Sequence, residues 1–309
     1  MAEGTYTFSA SHTSLAAWRT GCPAYYKAVV DSGYQLLPGS ERDVYNAAFG
    51  NVMHAVARRF YDDQLWARCA TPTQIRDAYR VLKAAIPSLV DQHTAGAGEL
   101  GVKYKPLTRT EIIARCEAAA KAFVAHVLEG RFFGQYTRAE AKISHHAKQH
   151  GVLLVAKVDL AVVSQEPGLP RRVLLLDWKS RKSEHVDPSQ LTFDALTWYY
   201  KWGTYPDEVG FFYFEGDPYW EPVQVDFAAE LPRAMAALLE ERDRIQAERT
   251  WKPRRCSKCW ACPSRSTCTE SPHYRAAEEI AEIRAAPEVS RLGGDGVQVA
   301  EGGLNDWFK

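Results

Sequence analysis

No stretch of the 309-residue chain approaches the ~18 consecutive apolar residues that a membrane-spanning helix requires. The start, MAEGTYTFSASHTS, has no basic region ahead of an apolar run, so no signal peptide is expected and a cytoplasmic location is. Excess charge is lacking too. The 38 basic residues balance 38 acidic ones, which excludes a uniformly cationic coat but leaves room for a local basic groove. No internal repeat is present, and the phosphate-cradling G-x-x-x-x-G-K-(S/T) is missing. At this length the core needs no disulfide staples, and seven cysteines in a reducing compartment are not expected to form them. Cys69 and Cys116, alone in helical patterns, read as small buried hydrophobes. Cys22, Cys256, Cys259, Cys262 and Cys268 need another account.

What is present divides into a helical half, a strand-rich middle and a cysteine-rich end. Ser14 is placed to cap a short helix that stops near Gly21-Cys22-Pro23. Glu41 to Trp66 has apolar residues at helical spacing and no proline, which predicts one long helix. Another opens at Thr71-Pro72, with proline at its first position. DQHTAGAGELG reads as a flexible break, after which Thr108 and Glu111 form a capping box ahead of IIARCEAAAKAFVAHVL. Beyond Gly134 the texture turns to AEAKISHH, VLLVAKVDLAVV and VLLLDWKS, three successive strands, the last two joined as a hairpin. Asp187-Pro188 opens the helix PSQLTFDALTWYYKW. The strand EVGFFYFEG and a long charged helix from Phe227 to about Thr250 follow.

Asp159 sits inside an apolar strand and Asp177 closes the neighbouring one. A buried carboxylate costs several kcal/mol unless it is paired or binds a metal. If the strands are adjacent, both aspartates reach one hard cation, and Mg²⁺ or Mn²⁺ takes such oxygen ligands. Lys179 shares a face with Asp177, because side chains alternate along a strand. Its ammonium there would orient a water or offset negative charge in a transition state. Glu140, at the start of the first strand, is a third carboxylate nearby. The competing reading is a surface ion pair, worth ~0–1 kcal/mol. His54 taken by itself reads more readily as a satisfied core histidine, and only its place in the set reverses that.

Taken together, these residues resemble the PD-(D/E)XK nuclease superfamily, and within it the RecB/AddB-like exonucleases that include the iron–sulfur nucleases of CRISPR adaptation. The resemblance runs from about Ser11 to Thr269. His54 in FGNVMHAVARRF matches a Gly-x-x-x-His helix through Gly50, Asp159 the second-strand acid, Asp177 and Lys179 the acid-x-lysine pair, and Gln190 the glutamine after it. The resemblance implies an α/β, restriction-endonuclease-like core. It also implies a Mn²⁺ or Mg²⁺ ion held by His54, Asp159, Asp177 and the carbonyl of Trp178. Lys179 would serve the attacking water and Gln190 would position the lysine or the DNA. Two positions depart from the pattern. Asp194 stands where a tyrosine usually follows the glutamine, leaving Tyr199 and Tyr200 as candidates, and Ala156 stands in place of a common glycine. The implied organisation is a helical region over 1–135, a nuclease core over 136–225, a C-terminal helix and cysteine cluster over 226–286 packing back on the N-terminal region, and a flexible tail over 287–309.

RRCSKCWACPSRSTC gives C-x2-C-x2-C-x5-C, a spacing suited to Zn²⁺ or an iron–sulfur cluster. Either all four cysteines form a local site, or Cys259, Cys262 and Cys268 bind together with a distant cysteine. The resemblance implies the second arrangement, since GCPAYYKAVV matches the family's C-P-x-x-Y context. Cys22 would then complete a [4Fe–4S] cluster that staples the two ends, and Cys256 would be spare. Arg58, Arg59, Arg181, Lys182, Lys201, Arg254, Arg255 and Lys258 flank these positions as candidate phosphate contacts. Trp178, Trp198, Tyr199, Tyr200 and Trp202 are suited either to stacking on single-stranded bases or to packing. Two functions follow as expectations. One is a metal-dependent DNA exonuclease acting on free ends or single strands, in recombination, repair or CRISPR adaptation, alone, as a homo-oligomer or with a separate partner. The other is a non-catalytic DNA-binding or assembly protein organised by its cysteine cluster. The missing phosphate-cradling motif argues against a fused helicase.

Overall fold

The computed structural model describes residues 8–31, 41–94, 108–165, 170–180, 187–215, 219–256, 258–259, 262, 264 and 268–271. In chain order these form strand β1 (Phe8–Ala10), helices α1 (His12–Arg19), α2 (Pro23–Asp31), α3 (Glu41–Asp62), α4 (Pro72–Thr94) and α5 (Arg109–Glu129), then strands β2 (Tyr136–Ala147), β3 (Val152–Ser164) and β4 (Arg172–Lys179). Helix α6 (Ser189–Trp202), strands β5 (Glu208–Tyr213) and β6 (Tyr219–Val223), and helix α7 (Phe227–Ala247) complete them. Arg181, Lys182, the 287–309 tail and most of the expected break before Thr108 lie outside the described residues.

The strands make one mixed sheet with β3 as its axis. β2 pairs antiparallel along one edge of β3, from Ala147↔Val152 to Tyr136↔Val163. The other edge is shared: β1 runs parallel to Val152–Leu154, and β4 antiparallel to Leu160–Ser164. β5 continues parallel to β4, a step that needs a crossover, and α6 supplies it. β6 closes the sheet antiparallel to β5. Because both faces of β3 and β4 are covered, their sequences are nearly continuous aliphatic runs. On one face α1, α2, α6 and α7 contribute to an apolar cluster; on the other α3, α4 and α5 form a second. The α/β expectation holds. No described helix is long and apolar enough to cross a membrane.

Local structure departs from the sequence reading at several points, among them helix α2 and the run of α4 to Thr94. Ser11, not Ser14, caps α1; Ser14 is the third helical residue and returns the bond in a capping box. The long helix α3 stops at Asp62, short of the expected Trp66, because Gln64 adopts a left-handed φ of 51° and a 3-10 turn follows over Leu65–Arg68. Strands β1 and β6 were not expected. β1 has three residues, too few for a periodic signal, and β6 contains Pro222, which an edge strand tolerates. The capping box at Thr108 is present as expected, with Glu111 N–H on Thr108 Oγ1 at 3.2 Å and Thr108 N–H on Glu111 at 2.6 Å.

One irregularity in the sheet brings its acidic residues together. Along β3, Val152, Leu154, Ala156 and Val158 face the α6 side, yet Leu160 and Val162 face the α3 side. β2 slips likewise: Ala141 and Ile143 face α6, whereas Ala139 faces α3. A strand alternates with a period of two, so each chain changes phase at one point. Those points are opposite each other, at Glu140 and Asp159, between the pairs Ala139↔Leu160 and Ala141↔Val158. Glu140 carries a φ of 51°, which a residue with a Cβ rarely adopts.

Candidate active site

The slip leaves Glu140 and Asp159 on the α3 side of the sheet, where His54 meets them. Helix α3 buries Val52, Met53, Val56, Ala57 and Phe60, and so presents His54 from the rim of its buried stripe. His54 Nδ1 lies 3.6 Å from Glu140 Oε1 and 3.6 Å from Asp159 Oδ1. The ligand atoms of the three residues fall within 4.8 Å of one another. On the other side of the ring, Nε2 is 3.2 Å from the carbonyl oxygen of Trp178. That carbonyl only accepts, so Nε2 carries a proton and Nδ1 faces the two carboxylates. Trp178 also braces the imidazole edge-on at 5.5 Å.

The sheet opens at the site. Extending the register past Leu160↔Leu176 would set Asp159 directly opposite Asp177, and two buried like charges in contact are costly. Pairing stops there, and Asp159 Oδ2 accepts the Trp178 N–H at 2.8 Å in place of a ladder partner. Asp177 and Lys179 follow the strict alternation of β4 toward the α6 side. Lys179 Nζ stands 2.5 Å from Asp177 Oδ2 and 5.5 Å from the centre of the Phe211 ring. Gln190, in the first turn of α6, binds both residues: its amide N–H donates to Asp177 Oδ1 at 2.5 Å and its oxygen accepts from Lys179 at 3.1 Å.

Charge follows from this geometry. Burial works against the Glu140 carboxylate, but His54 and a Lys157 ion pair outweigh it and hold its pKa down at about 2. Burial also opposes a charged His54, and is overcome by Glu140 and Asp159, so its pKa rises. Asp159 is pushed up by burial and by Asp177, against the pull of His54 and the Trp178 N–H. Asp194, one turn beyond Gln190 and buried, is raised well above the usual range by burial, Asp177 and Asp159. Asp159, which burial drives toward its neutral form beside an ionised Glu140, is the acid that a divalent cation would hold charged.

The expected residues thus fall into two groups. His54, Glu140 and Asp159 converge as a ligand set of one nitrogen and hard oxygens. Asp177, expected beside Asp159 as a ligand, is engaged by Lys179 and Gln190, and the Trp178 carbonyl is engaged by His54. Tyr199 and Tyr200 lie at the far end of α6, where Tyr199 stacks on Tyr205 and Tyr200 bonds His150 at 3.2 Å. Trp178 and Trp198 are buried and pack in the two apolar clusters. Arg58 and Arg59 pair with Asp62 and Asp63 one turn on.

All five remaining cysteines line one cavity of about 250 Å³: Cys22, Cys256, Cys259, Cys262 and Cys268. Cys22 Sγ accepts backbone N–H bonds from Tyr25 at 3.3 Å and Arg254 at 3.4 Å, and Cys259 Sγ accepts one from Cys256 at 3.3 Å. Burial pushes the Cys262 thiol up, as do Cys22, Cys268 and Cys259. Among the described residues, no three cysteine sulfurs lie within 4.8 Å of one another.

Carboxylates and an imidazole around room for a cation, beside a lysine held against a carboxylate, make a site for metal-assisted hydrolysis of a phosphodiester, the chemistry of a nuclease. A family model described as the PD-(D/E)XK nuclease superfamily matches residues 9–269, and the chain belongs to that superfamily. The mixed sheet flanked by helices is consistent with its restriction-endonuclease-like fold. Membership implies metal-dependent phosphodiester hydrolysis with DNA as the substrate. No curated protein matches the chain.

Proposed function

We propose that this protein is a DNA exonuclease that uses Mn²⁺ or Mg²⁺ and carries a structural [4Fe–4S] cluster. The observation that carries the nuclease reading is the joint placement of the His54–Glu140–Asp159 ligand set and the Asp177–Lys179–Gln190 unit across the parting of β3 and β4. A bound cation supplies Lewis-acid polarisation of the scissile phosphate and a more acidic water. His54, Glu140 and Asp159 hold it, and the Trp178 carbonyl, by accepting the Nε2 N–H, turns the lone pair of Nδ1 inward. Lys179 orients the water and offsets charge developing on the phosphate. Asp177 and Gln190 keep the ammonium in place, a role we assign to Asp177 instead of direct ligation.

Cys22, Cys259, Cys262 and Cys268 are the proposed cluster ligands. The shared cavity and the N–H bonds already directed at sulfur support this reading. The proposed substrate is DNA with free ends or single strands, in recombination, repair or CRISPR-like processing in the cytoplasm, with a homo-oligomer or a separate partner as the working assembly. End-labelled single- and double-stranded DNA incubated with Mn²⁺ and with EDTA tests the activity. Stepwise shortening from an end, abolished by EDTA, is expected. Metal-independent cleavage, or none, would sink the reading in favour of a DNA-binding or assembly role. Purified without chelators, the protein should be brown and absorb near ~400 nm; colourless, zinc-loaded protein would refute the cluster.

A further inference from the structure

Helix α1 lies far from the acidic residues in sequence, yet its first residue reaches the catalytic helix. His12 Nε2 is 3.2 Å from Ser189 Oγ and 3.8 Å from Asp187 Oδ2. The Ser189 hydroxyl already donates to Asp187 Oδ2 at 2.8 Å. Toward His12 its oxygen therefore accepts, and the imidazole Nε2 carries the proton. Asp187 also takes the Ser189 N–H at 2.9 Å, so His12, Asp187 and Ser189 form one connected cap on the start of α6. The next residue is Gln190, whose amide spans Asp177 and Lys179. His12 is close enough to that pair to feel both charges.

The other end of α1 is anchored as well. Arg19 forks Glu241 of α7 with bonds of 2.7 and 3.1 Å, and Cys22, just past Gly21, lines the cysteine cavity. Leu15 and Ala17 bury the helix against the sheet-side cluster. The helix is a strut between the cysteine-rich end and the first turn of α6. Asp187 is 61% exposed at its side chain, so without His12 the cap on that turn would be held mainly by solvated bonds within itself.

We propose that His12 is a positioning residue for hydrolysis: it fixes the first turn of α6, and with it the Gln190 amide that sets Lys179 against Asp177. The inference rests on the nuclease reading of the site. A reacting group displaced by ~1 Å loses on the order of 10²-fold in rate, so a tether one residue away from Gln190 governs turnover without touching DNA.

Steady-state cleavage of end-labelled DNA with Mn²⁺ by wild type, His12→Ala and His12→Gln tests it, alongside DNA affinity in EDTA and each protein's melting temperature. In His12→Ala, kcat is expected to fall by about ten- to a hundredfold, with KM and DNA affinity unchanged. His12→Gln should recover most of the loss, because its amide N–H can donate to Ser189. His12→Ala and Ser189→Ala should not be additive, since both break one contact. The proposal is overturned by a wild-type kcat in His12→Ala, by a loss confined to KM, by additive losses, or by a rate loss that tracks melting and is not rescued by glutamine. An inert wild type overturns the nuclease reading itself, and this inference with it.

Discussion

At the scale of single residues, Glu140 stands with His54 and Asp159, while Asp177 is paired with Lys179 and Gln190. Glu140 holds a left-handed backbone and an ion pair with Lys157 while facing His54. Strained backbone of this kind costs about 1–3 kcal/mol and persists where surrounding structure imposes it. Glu140→Gln is expected to weaken Mn²⁺ binding by about 10–100-fold, read from the metal dependence of the melting temperature. Asp177→Asn and Lys179→Ala should leave that binding largely intact while lowering cleavage by about 10²–10⁴-fold. A Mn²⁺ affinity lost equally in Asp177→Asn would return Asp177 to the ligand set. Asp194 makes a separate prediction. Its pKa is raised in the fold, so the unfolded chain releases this proton first, and stability falls as pH climbs above the ordinary carboxylate range toward the raised value. Asp194→Asn removes that loss. Its melting temperature should gain on wild type between pH 5 and pH 8, and a gap that does not widen with pH would count against a buried, strained carboxylate.

At the scale of elements, patterns that repeat were legible and single events were not. Helices α4 and α5 announce themselves through Pro72 and through the Thr108–Glu111 box. Thr108→Ala is expected to cost about 0.5–2 kcal/mol, measured by urea unfolding. An unchanged midpoint would mean that packing alone fixes the start of α5. The aliphatic runs of β3 and β4 predicted buried strands, and the structure has them side by side. The phase slip in β2 and β3 leaves no trace in the residue types, because alanine, valine and leucine suit either apolar face. The same limit hid β1, whose three residues become a strand only when Val152–Leu154 offers an unpaired edge.

At the scale of the whole molecule, the cysteines join segments more than 200 residues apart in sequence around one cavity. A covalent or metal staple across so long a loop acts mainly by removing freedom from the unfolded chain. Cys22→Ser and Cys262→Ser are therefore expected to lose iron and to melt earlier. Cys256→Ser, whose thiol neighbours Cys259, should keep both iron and melting temperature. Iron lost in Cys256→Ser would make the local four-cysteine set the true one.

The sequence by itself determined which chemistry was possible. A carboxylate inside an aliphatic run, a lysine two residues past another, a histidine on an amphipathic helix and cysteines at short spacing are local facts, fixed by residue type and periodicity. Only the tertiary structure decided which of those groups meet. Where β3 parts from β4, Asp159 is bound to the Trp178 backbone and turned toward His54 and Glu140, while Asp177 is turned toward Lys179 and Gln190. That division depends on which face each carboxylate occupies, and a face is set by the register and twist of neighbouring strands, which no single segment specifies.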